Sequence, residues 1–156
     1  MHDTPGWPTG KALEHLVLRA FELTGADVIW PYRVRLNGEV IEEIDGMVRV
    51  DHIACLIEVK HTVERVNIEP LTKLRNQLMR RPAGVIGSVF SFGGFTDPAT
   101  VLAQFVAPQA ILLWDGPEIE AVLERADFAN ALKREYSYML QTGQADFDMR
   151  AEYTPV

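Results

Sequence analysis

Apolar residues recur at helical spacing up to Leu23: Leu13, Leu16, Val17, Leu18, Ala20, Phe21 and Leu23 fill one broad arc of a wheel turned by about 100° per residue. The pattern predicts a first helix, capped by Thr9 and stopped by Gly25. Two β-branched, aromatic-rich runs follow at 27–36 (DVIWPYRVRL) and 39–48 (EVIEEIDGMV), joined by Asn37-Gly38, the strongest short signal for a hairpin. The run at 52–60 (HIACLIEVK) is almost continuously apolar until its end, as expected of a central strand covered on both faces. Helical spacing returns at 68–81 and Pro82 closes it. A strand is expected at 83–92, a helix at 97–106 with Asp97 as cap and Pro98 at its first position, and a strand at 109–114. Two closing helices are expected at 117–126 and 126–141. Residues 1–9 read as a flexible arm and 142–156 as a tail without periodicity. The order α-β-β-β-α-β-α-β-α-α implies a single α/β domain over 10–141, with a mixed central sheet of about five strands flanked by helices.

The 156 residues, 47% apolar and 24% charged, suit one ordinary globular domain. Fifteen basic against 22 acidic residues give a net charge of −7. That excludes attachment to nucleic acid by bulk positive charge and leaves room only for a local basic patch. A single cysteine, Cys55, allows no intrachain disulfide and no cysteine-based zinc site. No apolar run reaches 18 residues, and the first ten lack the basic-then-apolar order of a signal peptide. A soluble cytoplasmic protein with no membrane contact is the expectation.

Three acidic positions stand out. Glu14 falls inside the apolar arc of the first helix, between Phe21 and Leu18, where a carboxylate is costly unless paired or metal-bound. Asp45-Gly46 is by itself a turn signal. In Ile57-Glu58-Val59-Lys60, strand alternation puts Glu58 and Lys60 on one face, roughly 7 Å apart at Cα, which by itself describes an ion pair at a sheet edge. Together they meet the needs of a metal-dependent phosphodiesterase. A hard Mg²⁺ or Mn²⁺ takes oxygen ligands from one or two carboxylates, a carbonyl and waters. Asp45 and Glu58 supply the carboxylates and the Val59 carbonyl a third oxygen, with Lys60 beside the attacking water to orient it or take its proton.

The helix that follows carries four basic residues between Leu71 and Arg81 (Lys73, Arg75, Arg80 and Arg81) and no acidic one. Its wheel sets Leu71, Leu74, Leu78 and Met79 against Lys73, Asn76, Gln77 and Arg80. This is either a solvated face or a phosphate-contacting one beside the metal. Asp51 is a competing acid, placed by its spacing in the turn before the Glu58 strand. The four histidines lack metal-ligand spacing, the Ser91–Gly94 stretch lacks the Lys-Ser/Thr of a phosphate loop, and Cys55 reads as core.

The combination "E…IDG…LIEVK", followed by a helix bearing a glutamine, resembles the PD-(D/E)xK nuclease superfamily. The stretches "AGVIGSVFSFGGFTDPA" and "AILLWDGPEIEAVL" are similar to Mrr-type restriction endonuclease domains, with the likeness covering about residues 9–125. The resemblance implies a restriction-endonuclease-like three-layer fold. It also implies Asp45 and Glu58 as metal ligands, Lys60 as the catalytic lysine, Glu14 as an acidic residue near the metal and Gln77 as a helix residue contacting the site. Ile44 stands where the proline that names the motif would be. Full-length Mrr-type enzymes usually carry a separate DNA-binding domain, which makes a separate DNA-targeting subunit an expected partner. The expected activity is Mg²⁺- or Mn²⁺-dependent DNA endonuclease; the rival is a non-catalytic DNA-binding or protein-interaction module that keeps the fold. Cutting both strands of a duplex needs two copies, and Phe128, Leu132, Tyr136 and Met139 offer an apolar stripe that serves either a homodimer or the core.

Overall fold

Leu13, Val17, Leu18 and Phe21 recur three and four residues apart and are fully buried, fixing helix α1 (Lys11–Leu23) against a sheet. Its last turn closes where Gly25, at φ 101°, donates to Glu22 O and Ala26 to Phe21 O, the paired bonds of a glycine-stopped helix. The computed structural model describes residues 10–106 and 108–154. The arm at 1–9 and the Thr9 cap lie outside the described residues.

The Asn37-Gly38 hairpin forms as expected, with both residues at the positive φ (52° and 82°) that such a tight turn requires. Its flanking runs are not single strands, however. Pro31 has no N–H for a ladder, so the first run divides into β1 (Asp27–Ile29) and β2 (Tyr32–Leu36). The second divides at Asp45, which occupies a bend between β3 (Glu39–Ile44) and β4 (Gly46–Val50). Strands β2 and β3 make a two-stranded sheet of their own, while β1 and β4 join the main sheet. That sheet has the order β1-β4-β5-β6-β7, completed by β5 (Ile53–Lys60), β6 (Ile86–Ser91) and β7 (Ile111–Asp115). The β1–β4 and β4–β5 pairs are antiparallel and β5–β6 and β6–β7 parallel, giving the expected mixed five-stranded sheet. Asp51, at φ 53°, lies in the turn between β4 and β5.

Helices cover both faces. On one, α1 packs with α4 (Gly116–Arg125) and α5 (Phe128–Thr142) around Phe21, Phe90, Trp114 and Phe128; the Phe90 and Trp114 rings stack at 4.8 Å. On the other, α2 (Glu69–Leu78) and α3 (Asp97–Ala103) cover Leu56, Val89 and Leu113 with Leu71, Leu74 and Ala99. Alternation along β5 sends Cys55 and Ile57 to the first core and Leu56 to the second, so Glu58 and Lys60 project on the α2 side.

Several local expectations are corrected. Helix α2 stops at Leu78 rather than Arg81, because the turn before Pro82 is disfavoured as helix and tightens from Met79 onward. Met79, expected on the apolar side, is exposed. Thr96, not Asp97, caps α3: its hydroxyl accepts from Ala99 N, and Asp97 and Pro98 are the first helical positions. On α5, Phe128 and Leu132 are fully buried, with Tyr136 and Met139 packed against the core, so this stripe is interior and not a pairing surface. After α5 the chain folds back over the domain. Ala145 accepts from Leu113 N, Met149 N donates to Glu118 Oε1 at 3.0 Å, and α6 (Arg150–Tyr153) follows. No helix among the described residues is long and apolar enough to cross a membrane.

Gly46 links this packing to the chemistry. Its φ is not positive, so it is not the turn glycine that Asp-Gly suggests; a Cβ there would sit 2.6 Å from Leu18 Cδ2. A bare backbone at this point lets β4, with Asp45 just before it, press against the helix that carries Glu14.

Candidate functional site

The site forms where β4 stops short and β5 continues. The last residue of β5 paired to β4 is Ile57, opposite Gly46, so Glu58, Val59 and Lys60 extend past the end of their neighbour. Into that opening Asp45 turns its side chain, and its Oδ2 accepts the Val59 N–H at 2.8 Å. In a strand the N–H and C=O of one residue leave on the same side, and successive residues alternate. The Lys60 carbonyl accepts from Phe92 N on the β6 side; the Val59 carbonyl therefore faces the open edge together with Asp45.

Glu58 is 2% exposed and lies between two ammonium groups. Lys73 Nζ of α2 is 3.3 Å from its Oε1 and 3.4 Å from Oε2, and Lys60 Nζ is 3.4 Å from Oε1. Burial pushes the Glu58 carboxyl up, the Asp45 charge pushes it further, and Lys73 and Lys60 oppose both. Glu14 is buried on α1 as its wheel position implies, with Lys11 Nζ at 3.0 Å. Burial raises its carboxyl too; the Lys11 hydrogen bond works against this and the Asp45 charge adds to it. The three acids are thus electrostatic neighbours, but only Asp45 and Glu58 share the open edge of β5.

The helix face is less uniform than its composition. Lys73 and Arg80 keep exposed side chains, and with Asn76 and Gln77 they line a cleft between α2 and β3 that Glu42 and Glu43 also line, Arg80 Nη1 standing 3.5 Å from Glu42 Oε2. Arg81 is turned inward, 16% exposed, donating from Nη1 to both Glu42 oxygens at 2.7 and 2.9 Å. Arg75 is outside the cleft, half-buried on another flank of the helix. The structure therefore does not set the four basic residues on one face. Gln77, grouped with the solvent side by its wheel, is buried, and its Nε2 donates to Glu43 O at 3.4 Å. It braces β3 two residues before the bend at Asp45.

Glu42, Lys11 and the pairing of Lys73 with Glu58 were not visible in the sequence, because each depends on a contact between separate elements. Two further buried acids, Glu118 and Glu135, lie in the opposite core. Glu135 had a signal: it stands three residues after Leu132 and four before Met139, inside an apolar stripe, as Glu14 does on α1. A separate crevice of about 430 Å³ opens at the ends of β6 and β7, lined by Asp97, Asp115, Asp146 and Asp148 with Arg65.

As a metal site, the β5 edge offers two carboxylates and a carbonyl. Among the described residues no three acidic, histidine or cysteine side chains converge on one point, so waters would complete the shell. That set suits Mg²⁺ or Mn²⁺, which keep several waters, and among the described residues Glu58 is a buried carboxylate compensated by Lys60 and Lys73.

A family model described as restriction endonuclease matches residues 8–123. Among solved structures the chain is similar to a protein of unknown function, AF1548, with 22% identity and a TM-score of 0.48 over 65% of this chain and 56% of that one. It is also similar to the MspJI restriction endonuclease in complex with a 27-mer oligonucleotide, at 18% identity and a TM-score of 0.44, covering 90% of this chain and 34% of that one. The chain thus spans about half the length of the first and a third of the second. No curated protein matches it.

Proposed function

The chain belongs to the Mrr-type restriction endonuclease family, and from that premise we propose that it is a metal-dependent endonuclease hydrolysing phosphodiester bonds in DNA. The observation that carries this reading is the meeting of Asp45, Glu58, the Val59 carbonyl and Lys60 at the open edge of one strand. Asp45, Glu58 and the Val59 carbonyl would hold the ion, Mg²⁺ or Mn²⁺, in a family that generally uses divalent metals. When bound, it supplies Lewis acidity at the phosphate and acidifies a water.

The chain's own residues do the rest. The Val59 N–H fixes the Asp45 carboxylate, so one ligand is held before any ion arrives. Lys60 Nζ, on the same strand face as Glu58, orients the attacking water or takes its proton. Glu14 adds negative charge behind Asp45, and Gln77 braces β3. Lys73 and Arg80 meet the DNA backbone at the cleft; Arg81 is turned to Glu42 and the Gln77 carbonyl, and Arg75 stands outside the cleft. A protein of this charge approaches DNA weakly by itself, which favours a DNA-targeting subunit, and a homodimer would supply the second active site for a double-strand cut.

The test is cleavage of supercoiled plasmid and of single- and double-stranded oligonucleotides with Mg²⁺ or Mn²⁺. Nicked or linear product is expected with either ion, none in chelator, and a loss of about 10²-fold or more in Asp45→Ala. If no form of DNA is cut with either ion, the fold serves a non-catalytic DNA-binding or protein-interaction role.

A further inference from the structure

Lys73 lies where a metal-site residue and a DNA-contacting residue coincide. Its Nζ donates to both Glu58 oxygens, at 3.3 and 3.4 Å, and Lys60 Nζ stands 3.4 Å from Oε1. The two lysines also differ in their anchorage. Lys60 is two residues from Glu58 on one strand, while Lys73 reaches in from α2 on a 46% exposed side chain that lines the cleft beside Arg80.

The charge balance forces a choice between them. Asp45 and Glu58 carry two negative charges, which Lys60 and Lys73 neutralise. A divalent cation arriving among all four leaves an excess of two positive charges in a partly buried site, which is unfavourable. Withdrawal of one ammonium relieves part of it and frees the Glu58 oxygens. Of the two, Lys73 lines the open cleft, and a phosphate entering that cleft offers it a new anionic partner.

Building on the nuclease reading above, we propose that Lys73 is the resident counter-ion of Glu58, displaced by the metal and handed on to a DNA phosphate. Metal binding and DNA binding are then coupled through one side chain. By reciprocity, each makes the other tighter by the same factor. Lys73 acts on the metal through Glu58 and is a positioning residue for the reaction.

The test is calorimetry with Mn²⁺ alone and fluorescence anisotropy with a duplex oligonucleotide in chelator, both at pH 8, on wild type, Lys73→Met and Lys73→Arg. Removing the competing cation should tighten Mn²⁺ binding roughly five- to tenfold in Lys73→Met, a gain kept small by the solvent screening of an exposed lysine. Lys73→Arg keeps the charge and should bind Mn²⁺ like wild type. Without metal, Lys73 is occupied by Glu58, so Lys73→Met should lose less than about twofold in DNA affinity, far below the loss of a full phosphate contact. Mn²⁺ affinity unchanged or weaker in Lys73→Met would overturn the proposal, making Lys73 a support for Glu58 and not its competitor. A severalfold loss of DNA binding in chelator would overturn it too, because Lys73 would then contact phosphate before any metal binds. If wild type and Asp45→Ala alike take up no Mn²⁺, the metal-site reading itself fails, and the proposal with it.

Discussion

Lys60→Ala should lose DNA cleavage by about 10²-fold or more while binding Mn²⁺ at least as tightly as wild type. The two readouts separate because Lys60 contributes no ligand oxygen. Its ammonium lies 3.4 Å from Glu58 Oε1, and its removal takes away one of the two positive charges a metal must approach. The fold should not suffer, since the side chain is 39% exposed at the end of β5, beyond the β4 pairing. Plasmid-cleavage time courses beside Mn²⁺ calorimetry check both halves. Cleavage within tenfold of wild type would remove Lys60 from the chemistry. Lost Mn²⁺ binding would assign it a structural part in the metal site.

The second large effect concerns stability and pH, and it arises on the other face of the sheet. Glu118 on α4 and Glu135 on α5 are 2% and 0% exposed. Neither Glu135 oxygen meets a donor among the described residues, so a carboxylate there would be unsatisfied, whereas a protonated Glu135 can donate to Glu118. Burial pushes Glu118 up to about 7, against its hydrogen bonds from Glu135 and Met149 N; burial and then the adjoining Glu118 carboxyl push Glu135 well above its ordinary value. Asp115 and Asp148 add negative charge around the pair, with Arg150 on Asp148. In the unfolded chain both carboxyls ionise near their ordinary value of 4.5. The folded state therefore binds more protons than the unfolded one across the window from about 4.5 to 7, and stability falls as pH rises through it. The stabilisation is fully present below the unfolded value, and for Glu118 the loss is complete above its folded value. Glu118 alone accounts for on the order of 3 kcal/mol. Glu135→Gln carries no titrating proton and keeps an amide donor toward Glu118. It should be more stable than wild type at pH 8 and show a flatter profile. Urea unfolding at pH 5 and pH 8 measures this; an unchanged slope in Glu135→Gln would rule out Glu135 as a contributor to it.

These acids mark the limit of what the sequence discloses. Glu14 inside an apolar arc, Glu58 and Lys60 on one strand face, the Asn37-Gly38 turn and the mixed sheet all follow from local periodicity, and all appear in the fold. The candidate site is legible for the same reason, since its residues lie at one strand end and one bend. Features that depend on tertiary contact were hidden. Gln77 faces inward because the β3 backbone offers it an acceptor, and Arg81 because Glu42 does. The runs at 27–36 and 39–48 look continuous, yet Pro31 breaks one and the close approach of Leu18 to Gly46 redirects the other. A stripe on α5 that suits either a partner or a core is settled only by the sheet beneath it.

The proposed metal would sit at the open edge of β5, and a crystal soaked in Mn²⁺ is the direct test. An anomalous-scattering peak is expected between the Asp45 and Glu58 carboxylates, within coordination distance of the Val59 carbonyl, with Lys73 Nζ moved off Glu58. The crevice lined by Asp97, Asp115, Asp146 and Asp148, whose carboxylates do not converge on one point, is the place to compare. A peak there and none at Asp45 and Glu58 would contradict the account.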